Sequence, residues 1–217
     1  ALNGLGNIYQ ENGAYSKAIL YYTQSLEVAE AFGDTFRQEK NLGNLGVTYE
    51  KMGEYEAAIS QYTKALQLAR QIGHKRREGS NLGNLAIVYL NLGEYETAIS
   101  HYNTALEIAR QVGDKRSEGH NLCNLGNVYR QLGQYDNSIQ HHLQALEINR
   151  EIGHKRGEGN SLGTLGNVYL DLGEYDSAIS HYTAAVEIAK QTKNRRGEGS
   201  NLGNLGIVYQ NLGEYEA

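Results

Sequence analysis

Apolar residues between positions 76 and 112 fall on two successive helical faces. Leu82, Leu85, Ala86, Tyr89 and Leu92 recur at the three- and four-residue spacing of one helix face. Gly93 ends the pattern, as expected of a left-handed C-terminal stop. Glu94 and Glu96 open a second segment, where carboxylates favour the positive end of the helix dipole. There Tyr95, Ala98, Ile99, Tyr102, Ala105, Leu106, Ala109 and Val112 make a broader stripe. Gly113 stops it, and Asp114 is placed to cap the next helix. The pattern predicts a helical hairpin.

The hairpin recurs along the whole chain with a period of 40 residues. The segment starting at Asn41 returns at Asn81, Asn121, Ser161 and Asn201. The expected units are approximately 1–33, 34–73, 74–113, 114–153, 154–193 and 194–217, both ends being incomplete, in a single domain without a linker. Turns are expected at Gly13, Gly53, Gly93, Gly133 and Gly173, and longer ones after Gly33, Gly73, Gly113 and Gly153. Lys193 stands where the next glycine would fall. Of 17 tyrosines, all but Tyr21 occupy three repeat phases, represented by Tyr89, Tyr95 and Tyr102, with His142 an exception in the last. They read as architecture. One hairpin cannot bury its own stripe, whereas stacked hairpins bury a continuous one. The expected fold is therefore all-α, a solenoid of stacked helix-turn-helix units.

Composition narrows the function. Twenty Lys and Arg against 25 Asp and Glu give a formal charge of −5, which disfavours nucleic acid and anionic membranes as partners. A single cysteine, Cys123, excludes an internal disulfide framework and a cysteine-based zinc site. No apolar run approaches the roughly 20 residues of a membrane span. No secretory leader pattern opens the chain, so a cytoplasmic location is expected.

Leu85, Ala86, Tyr89, Ala98, Tyr102 and Ala105 carry the spacing of the tetratricopeptide repeat signature, and the chain resembles that family throughout. Leu82 takes the usual Trp position and Arg110 stands near the usual Pro. The unit of 40 residues with a literal Leu-Gly-Asn, as at Leu42–Asn44 and Leu82–Asn84, is similar to the Leu-Gly-Asn, or Pins-type, signalling adaptors. It is also similar to arrays in bacterial multidomain signalling proteins. The resemblance implies a right-handed superhelix whose first helices line a concave peptide-binding groove.

Opposite the core face, the first helices carry amides where ordinary solvated faces carry Lys, Glu and Gln. One phase holds Asn44, Asn84, Asn124, Thr164 and Asn204; the next holds Asn127 and Asn167, with Val47 and Ile87 in other units. An amide donates and accepts at once and so matches a peptide group. Similar asparagine ladders occur in peptide-binding members of the family. The alternative is that each Asn bonds a neighbouring helix. A second series, Arg76, Arg116, Arg156 and Arg196, starts the first helices on the same side, with Phe36 in the first unit. It reads either as a basic edge for acidic ligand side chains or as ion-pair partners of Glu78, Glu118, Glu158 and Glu198.

Gly79 and Gly83, with Ala86, share one helix flank and read as sites of close helix approach, because glycine within a helix costs about 1 kcal/mol. His101, His141 and His181 share a phase; they and the adjacent His142 suit the surface better than a metal site. Cys123 replaces a glycine and reads as a small-residue substitution, a reactive thiol being the alternative. No catalytic residue, metal ligand or cofactor is assigned. The expected function is a scaffold holding a protein or peptide in extended form. Two alternatives are a sensor arm of a bacterial signalling protein and an array that self-associates through open end repeats.

Overall fold

A computed structural model describes residues 1–213; the expectation for Tyr215 and the last helix start lies outside the described residues. Among the described residues the secondary structure is helical, in eleven segments. They form two compact units, one from Ala1 to Val112 and one from Gly113 onward. The first contains α1 (Leu2–Glu11), α2 (Tyr15–Ala31), α3 (Thr35–Met52), α4 (Tyr55–Gln71), α5 (Lys75–Asn91) and α6 (Tyr95–Gln111). The second contains α7 (Lys115–Gln131), α8 (Tyr135–Glu151), α9 (Lys155–Asp171), α10 (Tyr175–Gln191) and α11 (Arg195–Leu212). Within each unit consecutive helices pack in order, which is the expected α-solenoid packing. No described helix is long and apolar enough to cross a membrane.

The turns after Gly33, Gly73, Gly113 and Gly153 are not longer than the others. These four connections are three residues, as are the others except that between α3 and α4, which is two, so the charged segments at 35–40, 75–80, 115–120 and 155–160 are helical. The reason is local: the left-handed residue is followed at once by the helix start, which in most of these turns carries a side-chain cap. Asp34, Asp114 and Asn194 accept from the backbone N–H three residues on, at 3.0–3.2 Å. Lys193 adopts the left-handed conformation that glycine supplies elsewhere, with φ 53.

The hairpins close on an aromatic ring. In the first unit Tyr22, Tyr62 and Tyr102 are fully buried; in the second, Tyr182 and His142 are. Burial of such a ring stabilises by about 2–3 kcal/mol. The first helix makes room by having almost no side chain opposite. A Cβ on Gly6, Gly46 or Gly166 would lie 2.5–2.7 Å from its tyrosine, and one on Gly126 would lie 2.6 Å from His142. Close approach is thus the role of these glycines. Ala86 fills the same place beside the Tyr102 hairpin and is itself fully buried, so a methyl group can be accommodated there.

His142 is fully buried and is not the surface residue that was expected. His101, His141 and His181 are partly buried and pack on Tyr89, Tyr129 and Tyr169 at ring separations of 5.0–5.3 Å. Tyr21 takes the same phase in the first hairpin and stacks on Tyr9 at 5.3 Å, so it too follows the repeat. His142 replaces the buried tyrosine because its neighbours are polar: Thr164 Oγ1 lies 3.2 Å from its Nδ1. Its Nε2 has no hydrogen-bond partner among the described residues.

A second amide series, unrecognised from the sequence, is buried between repeats. Asn41, Asn81, Asn121 and Ser161 are at most 8 % exposed. Asn41 Oδ1 accepts from Asn3 at 2.7 Å, and Asn81 donates to Glu39 at 2.9 Å. Glu39, 2 % exposed, also accepts from Arg77 Nη1 at 2.7 Å, and the Arg77 guanidinium lies 4.6 Å from the centre of the Phe36 ring. The other units carry Gly at the Glu39 position, so this pair belongs to one junction.

Two stability tests follow from these contacts. Burial, then the charges of His141 and Arg130, push His142 down from 6.5 to about 4. The unfolded chain therefore takes up the proton first. Stability is complete above the unfolded value and is lost as pH falls toward 4, by about 3 kcal/mol in total. Denaturant melts should show H142Y losing less stability than the parent between pH 7 and 4. At the other junction, R77Q strands the buried Glu39 charge and should cost about 3 kcal/mol. The double variant E39Q/R77Q should recover most of that loss in the same melts.

Candidate functional site

The predicted amides do share one side of the first helices. In the first unit Asn44 and Asn84, with Arg76, line a single open cavity between α3 and α5 of about 350 Å³. Lys40, His74 and Ser80 line it as well, and Glu39, Arg77 and Asn81 contribute to its wall. Lys40 has no ion-pair partner among the described residues. The cavity is a polar basin, rich in N–H donors and carrying two basic side chains besides the Arg77–Glu39 pair.

The amides divide into two sets. Asn44 Nδ2 donates to Asn7 Oδ1 at 3.3 Å, and Tyr22 OH donates to the same oxygen at 2.8 Å. Asn204 Nδ2 repeats this on Asn167 Oδ1 at 3.0 Å, where Tyr182 OH donates at 2.7 Å. These amides join neighbouring repeats and tie the amide-bearing face of the first helices to the buried tyrosine. Where Val47 or Ile87 replaces the accepting amide, that link is missing. Asn84, Asn124 and Asn127 have no side-chain hydrogen bond among the described residues. Thr164 is occupied by His142 and by the carbonyls of Asn160 and Ser161. The series is therefore part structural and part unengaged.

The arginine series is better separated from its glutamates than the sequence suggests. Glu78 accepts from Lys75 at 2.8 Å and from Arg70 of the preceding helix at 3.0 Å. Glu158 repeats this with Lys155 at 2.8 Å and Arg150 at 2.9 Å. Glu118 pairs with Lys115, and Glu198 with Arg195, each at 3.1 Å. Burial works to raise Glu78 and Glu158, but these hydrogen bonds and charges prevail and hold both below the ordinary carboxylate value. Arg116, Arg156 and Arg196 are exposed and have no ion-pair partner among the described residues. The glutamates that could have neutralised them are held by other cations.

Cys123 is not a poised nucleophile. Burial pushes its thiol up to about 11, against an opposing hydrogen bond with Thr164. No group of three or more His, Cys, Asp or Glu that could hold a metal occurs among the described residues.

The sequence profile described as tetratricopeptide repeat matches residues 1–71, 37–111, 77–151, 116–191 and 157–217. No curated protein sequence matches the chain. Among solved structures, BtubC (BKLC) from P. vanneervenii is similar with a TM-score of 0.81 at 22% identity, over 94% of this chain and 86% of that one. A Rap protein complexed with competence and sporulation factor is similar at 0.81 and 18%, over 99% and 63%. A signal transduction ATPase with a tetratricopeptide repeat sensor, PH0952 from Pyrococcus horikoshii, is similar at 0.82 and 22%, over 96% and 32%. At these identities the likeness is one of fold.

The two amide sets should respond differently to truncation. N204A removes a bond to Asn167 and should lower stability by about 1 kcal/mol. N84A removes none, and should leave the melting temperature unchanged or raised, because Ala is the better helix former. Thermal melts of the two variants side by side check the assignment.

Proposed function

The chain belongs to the tetratricopeptide repeat family, and on that premise we propose that it is a binding array which holds an extended, acidic peptide segment of a partner protein. The observation that carries the reading is the arginine series. Arg116, Arg156 and Arg196 have no ion-pair partner among the described residues, while the glutamates beside them are engaged by other cations. Guanidinium forks left in that state suit carboxylates, which they bind bidentately. The unengaged amides of Asn84, Asn124 and Asn127 would meet the ligand's peptide groups. Asn44 and Asn204 would keep the wall in register.

In this reading binding energy is spread over repeated weak contacts. The ligand's charge pattern then matters more than its exact sequence. A unit of 40 residues carrying Leu-Gly-Asn supports a place among Pins-type adaptors within the family. The similarity to a Rap protein complexed with competence and sporulation factor supports a peptide as the ligand class.

A second reading has its own support. The basin between α3 and α5 includes Glu39 and Lys40, which the other units do not repeat, beside Arg77, whose counterpart is Arg37. A pocket individual to one junction suits a small ligand, and the array would then be the sensor arm of a signalling protein.

Extended fluorescent peptides of graded Asp and Glu content, followed by anisotropy, separate the two readings. Affinity should rise with acidic content and fall as salt rises, because the contacts lie within reach of screening ions. R116Q/R156Q should weaken the most acidic peptide about tenfold at low salt, a loss of about 1.4 kcal/mol. If that double variant binds as tightly as the parent, the acidic-peptide reading is wrong.

A further inference from the structure

In the second unit, α7 and α9 bring together four basic side chains. The imidazoles of His120 and His154 lie 6.1 Å apart between ring centres. Arg116, one turn before His120, is close enough to act on both rings, and Arg156 acts on His154. These positions lie 80 residues after Phe36, Lys40, His74 and Arg76. The last three of those line the basin between α3 and α5. The repeat thus puts the four basic groups on the same side of α7 and α9, with Arg in place of Phe and His in place of Lys.

Little opposes this charge. Glu118 is held by Lys115, and Glu158 by Lys155 and Arg150. Asp114 faces His120, but its carboxylate also accepts the N–H of Ser117 at 3.1 Å. His154 does not cap α9. Its Nδ1 lies 3.2 Å from Asn149 Oδ1, a carbonyl-type oxygen that can only accept, so Nδ1 carries the hydrogen. Nε2 is then the nitrogen that takes up the second proton.

We propose that Arg116, His120, His154 and Arg156 form an oxyanion subsite that takes a doubly charged phosphate monoester carried on the extended ligand. The inference rests on the peptide-binding reading and gives it a place along the groove. A carboxylate carries one charge and two oxygens. A phosphate monoester carries up to two charges and three acceptor oxygens, enough for two guanidinium forks and two imidazoles together. The site is proton-coupled. Burial first, and then Arg116, lower both histidines; His154 adds to this at His120, Asp114 opposes it there, and Arg156 adds at His154. A bound dianion reverses the cationic repulsion, so it recruits protons to the rings. Affinity for an anion of fixed charge therefore rises as pH falls through the histidine range.

Sulfate is the first probe, because its charge is constant over that range. Histidine ring signals in NMR pH titrations should give higher values for His120 and His154 in saturating sulfate than in chloride. Sulfate should bind several-fold tighter at pH 6 than at pH 8. R116Q/R156Q should abolish the shift, whereas H120Q/H154Q should keep weak sulfate binding and lose its pH dependence. A phosphoserine peptide that outcompetes sulfate tenfold or more identifies a modified side chain as the source; equal affinities identify free oxyanion. Histidine values that do not move, or that move equally in R116Q/R156Q, overturn the subsite. Acidic peptide bound without any such shift refutes the subsite alone, and sulfate bound without any acidic peptide refutes the peptide-binding reading alone.

Discussion

Each hairpin depends on a flat ring buried against a first helix that carries almost no side chain there: glycine beside Tyr22, Tyr62, His142 and Tyr182, and alanine beside Tyr102. Tyr22, Tyr62 and Tyr182 lie against Gly6, Gly46 and Gly166, and His142 lies against Gly126. Glycine within a helix is unfavourable by itself, and ring burial offsets that by a larger amount. The same ring sets the outer surface. Its hydroxyl reaches Asn7 or Asn167 on the far side of the first helix, and those amides in turn hold Asn44 and Asn204. At Tyr22 and Tyr182 the core ring and the amide-bearing face are thus one hydrogen-bonded assembly.

His142 tests that coupling by substitution within the chain itself. An imidazole is shorter than a phenol, and Asn127, the counterpart of Asn167, is left without a bond among the described residues. Thr164 replaces the bridging Asn and turns to the ring instead. One change in the core therefore alters three positions along α7 to α9. Repeats with the same backbone acquire individual surfaces in this way.

Helices, turns and the tyrosine phases were legible because a 40-residue period repeats each signal several times. The helix starts near Arg76, Arg116, Arg156 and Arg196 were legible as well; the shortness of the turns before them was not, since a glycine followed by a run of charge carries no apolar period. The Asn41, Asn81 and Asn121 series was missed because asparagine reads as surface, and only the approach of the neighbouring repeat buries it. His142 was expected at the surface and is buried, because it occupies the phase of the buried tyrosines; the rings that His101, His141 and His181 pack on do not show in their own period. The arginine edge was legible by position. Its availability was not, because it depends on Arg70 and Arg150 reaching the glutamates from the helix before.

The interhelical bonds have a short reach along the chain. Asn81 meets Glu39 across 42 positions, and Asn204 meets Asn167 across 37. Ordering such contacts closes only small loops, whose entropy cost grows slowly with their length. Chains built from local contacts of this kind fold fast for their size. A copy of the unit added to or removed from the gene changes how many such loops must close, but not how large any one of them is. Growth by duplication therefore leaves the kinetic barrier of each step where it was, and array length is free to drift without a folding penalty.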